Sequence, residues 1–307
     1  MSFFPGNDPQ AGDAFACDAI ENLIIPRTSD LGGFSVRRAL PSSRRRLVGP
    51  FIFFDRMGPA IFRPGQAVDV RPHPHIGLST VTYLFDGEIR HLDSLGTAKV
   101  IRPGDVNWMT AGRGIVHSER TPENLRDHPF AMSGLQTWLA LPDDKEEIDP
   151  AFAHTEKGDL PVIADGGVTG RVVIGEFEGL KSPVKSFSDT LYVDLQLQPN
   201  KTFPFGAAHE ERAVYILSGS LIVAGDRFEQ DQLLVFRPGD AITLEAAEKG
   251  CHLMLFGGAA LNSKRYIWWN FVSSSKERIE KAKEEWRTGR FDIVPGDEEE
   301  FIPLPEG

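Results

Sequence analysis

The chain has 307 residues, about twice the ~150 residues that serve as a rough prior for one domain, so its length favours two domains. Its hydrophobic content of 41% and charged content of 25% are ordinary for a globular protein and exclude a disordered or fibrous chain. The formal net charge of −11 argues against direct nucleic-acid binding, which draws its affinity from Lys and Arg at phosphates.

The sequence predicts neither a membrane span nor an export signal. The longest apolar runs, such as residues 47–54, end well short of the ~20 residues that a membrane-spanning helix needs. The first 15 residues lack a basic segment followed by an apolar one. The two cysteines, Cys17 and Cys251, are too few for a disulfide framework, so we expect a cytoplasmic protein.

Short β-rich runs separated by Gly, Pro and Asp clusters account for most of the chain. This pattern is typical of an all-β sandwich or barrel. The predicted strands are 50–54, 79–85, 136–141, 171–177, 191–197, 213–217, 232–236 and 251–256.

Two motifs in the first half place histidines at metal-ligand spacing. His73 and His75 flank a proline, and because a residue before proline is extended, both imidazoles should point to the same side of one strand. His117 and Glu119 alternate in the same way. If these strands are neighbours, three imidazoles and one carboxylate converge. That donor set suits Fe, Mn, Ni, Cu or Zn and leaves coordination positions open for a substrate.

An internal duplication is indicated by matching landmarks in the two halves. Tyr83 corresponds to Tyr215 at an offset of 132 residues, and Gly104 to Gly239 at an offset of 135. An acidic stretch lies between the halves, almost at the midpoint of the chain. We therefore predict a metal-binding domain over 1–141, a linker over 142–152 and a second domain over 153–307.

Residues 273–290 predict one clear helix, near the C-terminus. Ser274 and Glu277 have the spacing of a capping box, and Gly289 supplies a stop. Ile279, Ala282 and Trp286 fall on one face. We interpret the helix as one that packs on the outside of the β-domain rather than one that binds a partner.

These motifs resemble those of the pirin family, a bicupin subgroup of the cupin superfamily. The resemblance extends from about residue 20 to about residue 290. The segments that match are 32–41, 54–59, 71–77, 108–117, 205–215 and 266–272.

The resemblance implies a fold and a site. Pirins have two stacked antiparallel β-barrel (jelly-roll) domains, and a single metal ion, usually iron, lies in the N-terminal barrel. The family's ligands correspond here to His73, His75, His117 and Glu119. Several members resemble quercetin 2,3-dioxygenase in site and activity, whereas others are partner-binding regulators, including an iron-dependent transcription cofactor in animals.

The sequence departs from the wider cupin pattern at two places. Many cupins have a glutamate ligand at the position of Ser79, so Glu119 has to supply the carboxylate, as in pirins. In the second half, the positions of the His-x-His motif are occupied by Phe205 and Ala207, while Glu211 and His252 stand at the other ligand positions. We therefore predict that the second domain binds no metal, and that residues 209–211 form an exposed charged turn.

Strand alternation suggests which residues surround the metal. A mostly apolar and aromatic lining would suit a flat aromatic ligand. The predicted pocket residues are Phe53, Asp55, Met57, Ser79, Val81, Gln136 and Trp138.

Three functions compete at this stage. In the first, iron as Fe(II)/Fe(III), or else Ni, Mn, Cu or Zn, binds a flavonol-like enol for cleavage with O2, and Glu119 acts as the base that removes the substrate proton. In the second, the protein is a non-catalytic metal- or redox-sensing regulator that binds a protein partner, with residues 44–46 as a surface candidate. A sugar-phosphate isomerase or zinc hydrolase ranks below both, because only Arg71 and Arg113 are available near the site for a phosphate.

Overall fold

The computed structural model describes residues 19–30 and 34–306. Cys17, and the two glycines at 32–33 in the first family-like segment, lie outside the described residues. The expectations that concern them stay predictions.

Strands make up most of the described chain, and every predicted strand is found. In the first half they are β1 (Ile20–Ile24), β2 (Arg27–Asp30), β3 (Ser35–Leu40), β4 (Phe51–Phe62), β5 (Val70–His75), β6 (Leu78–Asp86), β7 (Ile89–Asp93), β8 (Ala98–Ile101), β9 (Val106–Thr110), β10 (Ile115–Arg120) and β11 (Phe130–Ala140). In the second half they are β12 (Ala151–Thr155), β13 (Val162–Asp165), β14 (Val168–Ile174), β15 (Glu176–Phe177), β16 (Leu180–Lys181), β17 (Thr190–Leu197), β18 (Thr202–Phe205), β19 (Glu211–Val223), β20 (Asp226–Glu229), β21 (Leu233–Phe236), β22 (Ile242–Gly258), β23 (Tyr266–Trp268) and β24 (Phe271–Ser273). The helices are α1 (Glu123–Arg126) and α2 (Lys276–Arg287), with single 3₁₀ turns at Asp143–Lys145 and Lys157–Asp159.

The described chain forms two compact units, each assembled from separate stretches of sequence. One, the metal-site unit, contains residues 27–41, 50–159 and 261–306; the other contains residues 19–26, 42–49 and 160–260. The sequence boundaries 1–141, 142–152 and 153–307 stay a prediction, and the compact units cross them at both ends of the chain.

In the metal-site unit two antiparallel sheets contribute the walls of the site. One has four strands in the order β5-β10-β7-β8, and the other has seven in the order β12-β9-β6-β11-β4-β3-β2. Strands β6 and β11 at the centre of the larger sheet are almost wholly buried, which is why both faces of these strands are apolar or hydrogen-bonded.

The prediction of closed barrels is wrong. Barrel closure requires the first and last strands of a sheet to pair with each other. In the strand orders found among the described residues, the seven-stranded sheet ends at β12 and β2, and the four-stranded sheet at β5 and β8. Each domain is therefore built from open antiparallel sheets.

The other unit has a nine-stranded sheet with its own apolar core, and a two-stranded sheet of β15 and β16. Its main order is β1-β21-β19-β22-β17-β14-β13, with β18 paired to β22 and β20 to β19. Strand β1 joins this sheet through β21, more than 200 residues away along the chain. The duplicated landmarks have equivalent roles in the two units, since Gly104 and Gly239 both occupy turns with positive φ, +87° and +83°.

The predicted C-terminal helix is confirmed, with one change at its start. The N-cap of α2 is Ser275, whose Oγ accepts a hydrogen bond from the Arg278 amide, so the predicted cap at Ser274 is off by one residue. Ser274 instead donates its amide and hydroxyl to Glu146, within the predicted linker. Ile279 and Ala282 are buried on one face, as expected.

No helix among the described residues is long and apolar enough to cross a membrane.

Candidate metal centre

The three histidines of the two motifs meet because their strands are paired. β5 and β10 run antiparallel, with His117 directly opposite His73 and Ile115 opposite His75. Directly opposed residues in an antiparallel pair point to the same face. The proline between His73 and His75 keeps both imidazoles on that face as well. The three imidazoles expected to converge are therefore found together.

The imidazoles form a compact buried cluster. One ring nitrogen from each of His73, His75 and His117 lies within 4.8 Å of the others, which is close enough for all three to bind one metal ion. The ring centroids are 4.4 Å apart for His73 and His117 and 5.0 Å apart for each of the other pairs.

Backbone carbonyls orient two of the three rings. His73 Nδ1 lies 2.8 Å from the carbonyl oxygen of Arg71, and His75 Nδ1 lies 3.1 Å from that of Asn270. Because a carbonyl only accepts, Nδ1 is the protonated nitrogen in both rings and Nε2 has a free lone pair. Burial lowers the pKa of His73 to about 4 and the pKa values of His75 and His117 well below the usual range, so all three are neutral at pH 7.

The remaining nitrogens fit a cation. His75 Nε2 and His117 Nε2 are only 3.1 Å apart, and His117 Nδ1 is buried with no hydrogen-bond partner among the described residues. If His117 is protonated on Nδ1, the Nε2 lone pairs of His75 and His117 face each other. If His117 is protonated on Nε2, the buried lone pair of its Nδ1 has no hydrogen-bond donor. Both cost free energy in a dry site. Neutral imidazoles with lone pairs turned inward are the donor set of a borderline divalent metal.

Glu119 lies beside this cluster but is not part of it. The register of β10 against β5 shifts between His117 and Glu119, so the strict two-residue alternation is interrupted. Glu119 Oε1 accepts a hydrogen bond from Gln136 Nε2 at 3.2 Å, and Thr82 Oγ1 in turn donates to Gln136 Oε1 at 2.7 Å. Burial raises the pKa of its carboxyl. Its role as a fourth ligand or as a base stays a prediction.

A cavity of about 390 Å³ opens onto the site. Its wall includes His73, His75 and Glu119. Five of the predicted pocket residues also line it, namely Phe53, Asp55, Met57, Gln136 and Trp138. The C-terminal stretch of the same unit contributes Ile267, Trp269, Asn270 and Ile302, none of which the sequence suggested. Substrate contact by any of these residues stays a prediction.

Ser79 and Val81 are not among the residues that line the cavity, which corrects two of the predicted pocket positions. Counting by alternation from His75 fails because Gly77, with φ +67°, turns the chain from β5 into β6, in a different sheet. Thr80 and Thr82 are opposite Trp138 and Gln136 and share the cavity-facing side. Ser79 and Val81 are fully buried on the other face.

His91 lies beside the site, although neither ligand motif of the sequence includes it. His91 is buried, lies opposite Glu119 in the β10–β7 pair, and has its ring centroid 5.3 Å from that of His117. Its Nε2 is 2.9 Å from Asp93 Oδ2. Burial raises the pKa of Asp93, but the hydrogen bond and charge of His91 and the Thr97 amide outweigh it and lower the pKa overall. The available signal was the alternating spacing of His91 and Asp93, in a stretch where no strand was predicted.

The corresponding positions in the second unit make other contacts. Phe205 is buried in the apolar core, and Ala207 is exposed. His252 Nε2 is 2.5 Å from Asp194 Oδ1. The absence of metal from this unit stays a prediction.

The prediction of an exposed charged turn at 209–211 is wrong for two of its three residues. His209 is buried and bonds the carboxylate of Asp189. Glu211 accepts hydrogen bonds from Arg45 and from the amide of Gly49. Arg45 also pairs with Glu21. The middle one of the three arginines at 44–46, proposed as a partner-binding surface, therefore makes ion pairs within its own unit.

Comparison with known proteins agrees with the motifs. Residues 33–139 match the family model described as Pirin, and residues 192–292 match the model described as the pirin C-terminal cupin domain. The chain is similar to a pirin-like protein of Caulobacter vibrioides, with 51% identity over 290 residues that cover 94% of this chain and all of the relative.

Two crystal structures with the same fold are those of quercetin 2,3-dioxygenases from Acinetobacter baumannii. The first has a TM-score of 0.86 and 35% identity and covers 93% of this chain and 95% of the other. The second has a TM-score of 0.83 and 27% identity and covers 90% of this chain and 99% of the other.

Proposed function

The chain belongs to the pirin family, and we propose that it is a metal-dependent dioxygenase of the quercetin 2,3-dioxygenase type. Its substrate would be a flavonol or a related small aromatic enol, and its metal ion would be iron. The observation that supports this best is the 390 Å³ cavity with inward-facing neutral imidazoles on one wall and aromatic side chains on another.

His73, His75 and His117 would bind the metal, with Glu119 as the fourth ligand. An iron ion bound there supplies an open coordination position and a redox-active centre for chemistry with dioxygen. Three neutral nitrogens and one carboxylate would leave at least one positive charge of an iron ion uncompensated. The site would therefore favour a substrate whose enol oxygen is ionised.

Glu119 is the group best placed to accept the substrate's enol proton. It lines the cavity beside the imidazoles, and burial raises the pKa of its carboxyl in the metal-free chain. Gln136 donates a hydrogen bond to Oε1, and Thr82 donates to the amide oxygen of Gln136, so together they fix the direction of the carboxylate. These two side chains lie on β11 and β6 at the centre of the larger sheet, a rigid support for a catalytic group.

A flat wall beside the imidazoles suits an aromatic ring system. Phe53 and Trp138 stack with ring centroids 4.0 Å apart and an interplanar angle of 13°. The edge of His75 packs against Trp138 at a centroid distance of 5.1 Å. A planar substrate whose enol lies at the imidazoles can place its rings near this stacked pair.

The experiment is aerobic turnover of quercetin by protein of measured metal content. The metal is removed by chelation and replaced separately with iron, nickel, copper or manganese, and quercetin loss, O2 uptake and carbon monoxide release are recorded. We expect activity with at least one metal and its loss in His117→Ala. His128→Ala, an exposed histidine away from the cavity, is the matched control. No turnover with any of the four metals would sink the proposal.

The alternative of a non-catalytic redox-responsive regulator stays a hypothesis. It predicts no quercetin turnover and a set of bound protein partners that changes when the metal is removed. The same metal-free and metal-loaded preparations, used in a pull-down, would separate the two functions.

A further inference from the structure

A polar row crosses the floor of the cavity from Glu119 to Arg38. On the larger sheet Arg38 is directly opposite Asp55, Asp55 opposite Gln136, and Gln136 opposite Thr82. Directly opposed residues share one face of a sheet, so these four side chains lie on the cavity side. Since Thr82 bonds Gln136 and Gln136 bonds Glu119, the row connects the metal end of the cavity to the arginine.

The arginine end presents positive charge to the cavity. Arg38 donates from Nε and Nη2 to the two oxygens of Asp55, at 2.8 Å and 2.6 Å. The carboxylate is buried, with 3% of its side chain exposed, whereas 21% of the Arg38 side chain is exposed. A ligand in the cavity therefore meets more of the guanidinium than of its counter-ion. The Nη1 group has no hydrogen-bond partner among the described residues, so two N–H donors are free for a ligand.

The arginine is also held in place. Its guanidinium lies over the ring of Phe53, 4.3 Å from the centroid, and Phe53 stacks on Trp138. Arg27 lines the cavity as a second cation near Pro41, to whose carbonyl it donates. A guanidinium fixed by a bidentate carboxylate and an aromatic face needs little reorganisation to accept an anionic oxygen.

The distance between Arg38 and the Glu119 end of the row defines where the ligand carries its second acidic group. Arg38 lies on β3 and Gln136 on β11, with β4 between them, so two strand spacings, roughly 10 Å, separate the arginine from the Glu119 end. We propose that Arg38 is the recognition site for a second acidic group on the substrate. The substrate is then a planar aromatic enol with a carboxylate or ionised phenol at the end remote from the enol, and this inference rests on the function proposed above.

The test compares two ligands that differ only at the remote end. 3-Hydroxyflavone has the enol alone, and 4′-carboxy-3-hydroxyflavone adds a carboxylate to the far ring. Equilibrium binding to the metal-loaded full chain is measured by ligand fluorescence without oxygen, so that turnover does not interfere. We expect the wild type to bind the carboxylate form about tenfold more tightly, a typical value for one hydrogen bond to a charged group.

Variants assign the preference to the arginine. Arg38→Gln should remove the tenfold preference, measured as the ratio of its affinities for the two flavones. Because that variant leaves Asp55 buried without its partner, the double variant Arg38→Gln/Asp55→Asn removes both charges and serves if the single variant is unstable. Arg113→Gln, an arginine outside the cavity with 61% of its side chain exposed, should retain the preference.

The outcomes separate this inference from the proposed function. Equal binding of the two flavones by the wild type, or a preference that survives in both Arg38 variants, overturns the inference while leaving the proposed function intact. Binding of neither flavone by metal-loaded wild type contradicts the proposed function and the inference with it.

Discussion

The imidazoles of the candidate metal centre are each fixed by a different neighbour. Backbone carbonyls orient His73 and His75, but His117 has no such bond and packs instead against the ring of His91. His91 is itself held on two sides. Phe152 stacks on it at a centroid distance of 4.6 Å, and Asp93 bonds its Nε2. The orientation of His117 therefore depends on His91 and, through it, on Asp93.

Removing that ring should weaken metal binding. We expect His91→Ala to lower metal affinity by about 10- to 100-fold, the range found when an outer partner of a metal ligand is lost. His91→Phe retains a flat ring and should restore most of the affinity. Chelator competition measures the affinity, and the visible spectrum of the cobalt-substituted protein reports ligand geometry. An affinity unchanged in His91→Ala would show that His117 is oriented without it.

The single described cysteine is predicted to be chemically inert. Cys251 is 7% exposed in the core of the nine-stranded unit, and burial raises the pKa of its thiol to about 12. Because the thiolate is the reactive species, the native thiol should not react at pH 8, four units below this pKa. In Cys17→Ser, where Cys251 is the only thiol, a chromogenic disulfide reagent should react after unfolding in guanidinium and not before. Rapid labelling of the native variant would contradict the burial described for Cys251.

At the scale of elements, the turn between β5 and β6 determines where the ligands and the pocket residues point. Gly77 has φ +67°, and a Cβ there would meet the carbonyl oxygen of Val272 at 2.0 Å. Its amide also bonds the carbonyl of Gly112 in the turn before β10. The one residue thus connects the turns beside both ligand strands.

Substitution of this glycine should disturb the site as well as the fold. Gly96 is a matched control, because it has φ +83° but open space around a Cβ. We expect Gly96→Ala to cost about 1–2 kcal/mol of unfolding free energy from backbone strain alone, and Gly77→Ala at least twice as much because of the clash. Urea denaturation, monitored by tryptophan fluorescence, measures the unfolding free energy of both variants. Equal costs would mean that the Val272 carbonyl moves aside.

The same turn explains how far the elements could be predicted from sequence. Every predicted strand and the C-terminal helix were found, because the period of a strand or helix is a local property. His73 and His75 share a face for the same reason, and they meet His117 because β5 and β10 pair. Alternation counted across Gly77 misplaced Ser79 and Val81, since the count does not survive a change of sheet. The cap at Ser275 was missed because its neighbour Ser274, equally suited by sequence, is taken up by Glu146.

At the scale of the whole molecule, the metal-site unit includes residues remote in sequence. Residues 261–306 supply Ile267, Trp269 and Asn270 to the cavity wall, and the Asn270 carbonyl orients His75 from 195 positions away. No sequence motif marks a backbone carbonyl as part of a site. The family resemblance places residues 266–272 in the second domain. Their contribution to the candidate metal centre could therefore be found only from the structure.

A buried ion pair attaches this segment to the rest of its unit. The side chain of Arg265 is 0% exposed and that of Glu146 7%, with Nε 2.9 Å from Oε1. Arg265 also donates to the carbonyl of Leu141, and Glu146 accepts from Ser273 Oγ and the Ser274 amide. Removing one member of such a pair leaves an unpaired buried charge, which is strongly destabilising. The ion pair and its hydrogen bonds therefore fix the position of β23 and β24, the strands that follow Arg265.

Truncation after Ala260 should therefore damage the metal centre although every predicted ligand remains. It removes the Asn270 carbonyl, which orients His75, and it exposes Ile76 by deleting Phe271 and α2, which pack against it. We expect metal affinity to fall by at least about tenfold, as for other lost outer-shell contacts, and amide exchange to accelerate in β5 and β10. The amides of β17 and β22, whose core lies in the other unit, are the internal reference. Unchanged exchange in β5 and unchanged affinity would mean that residues 27–159 form the site unaided.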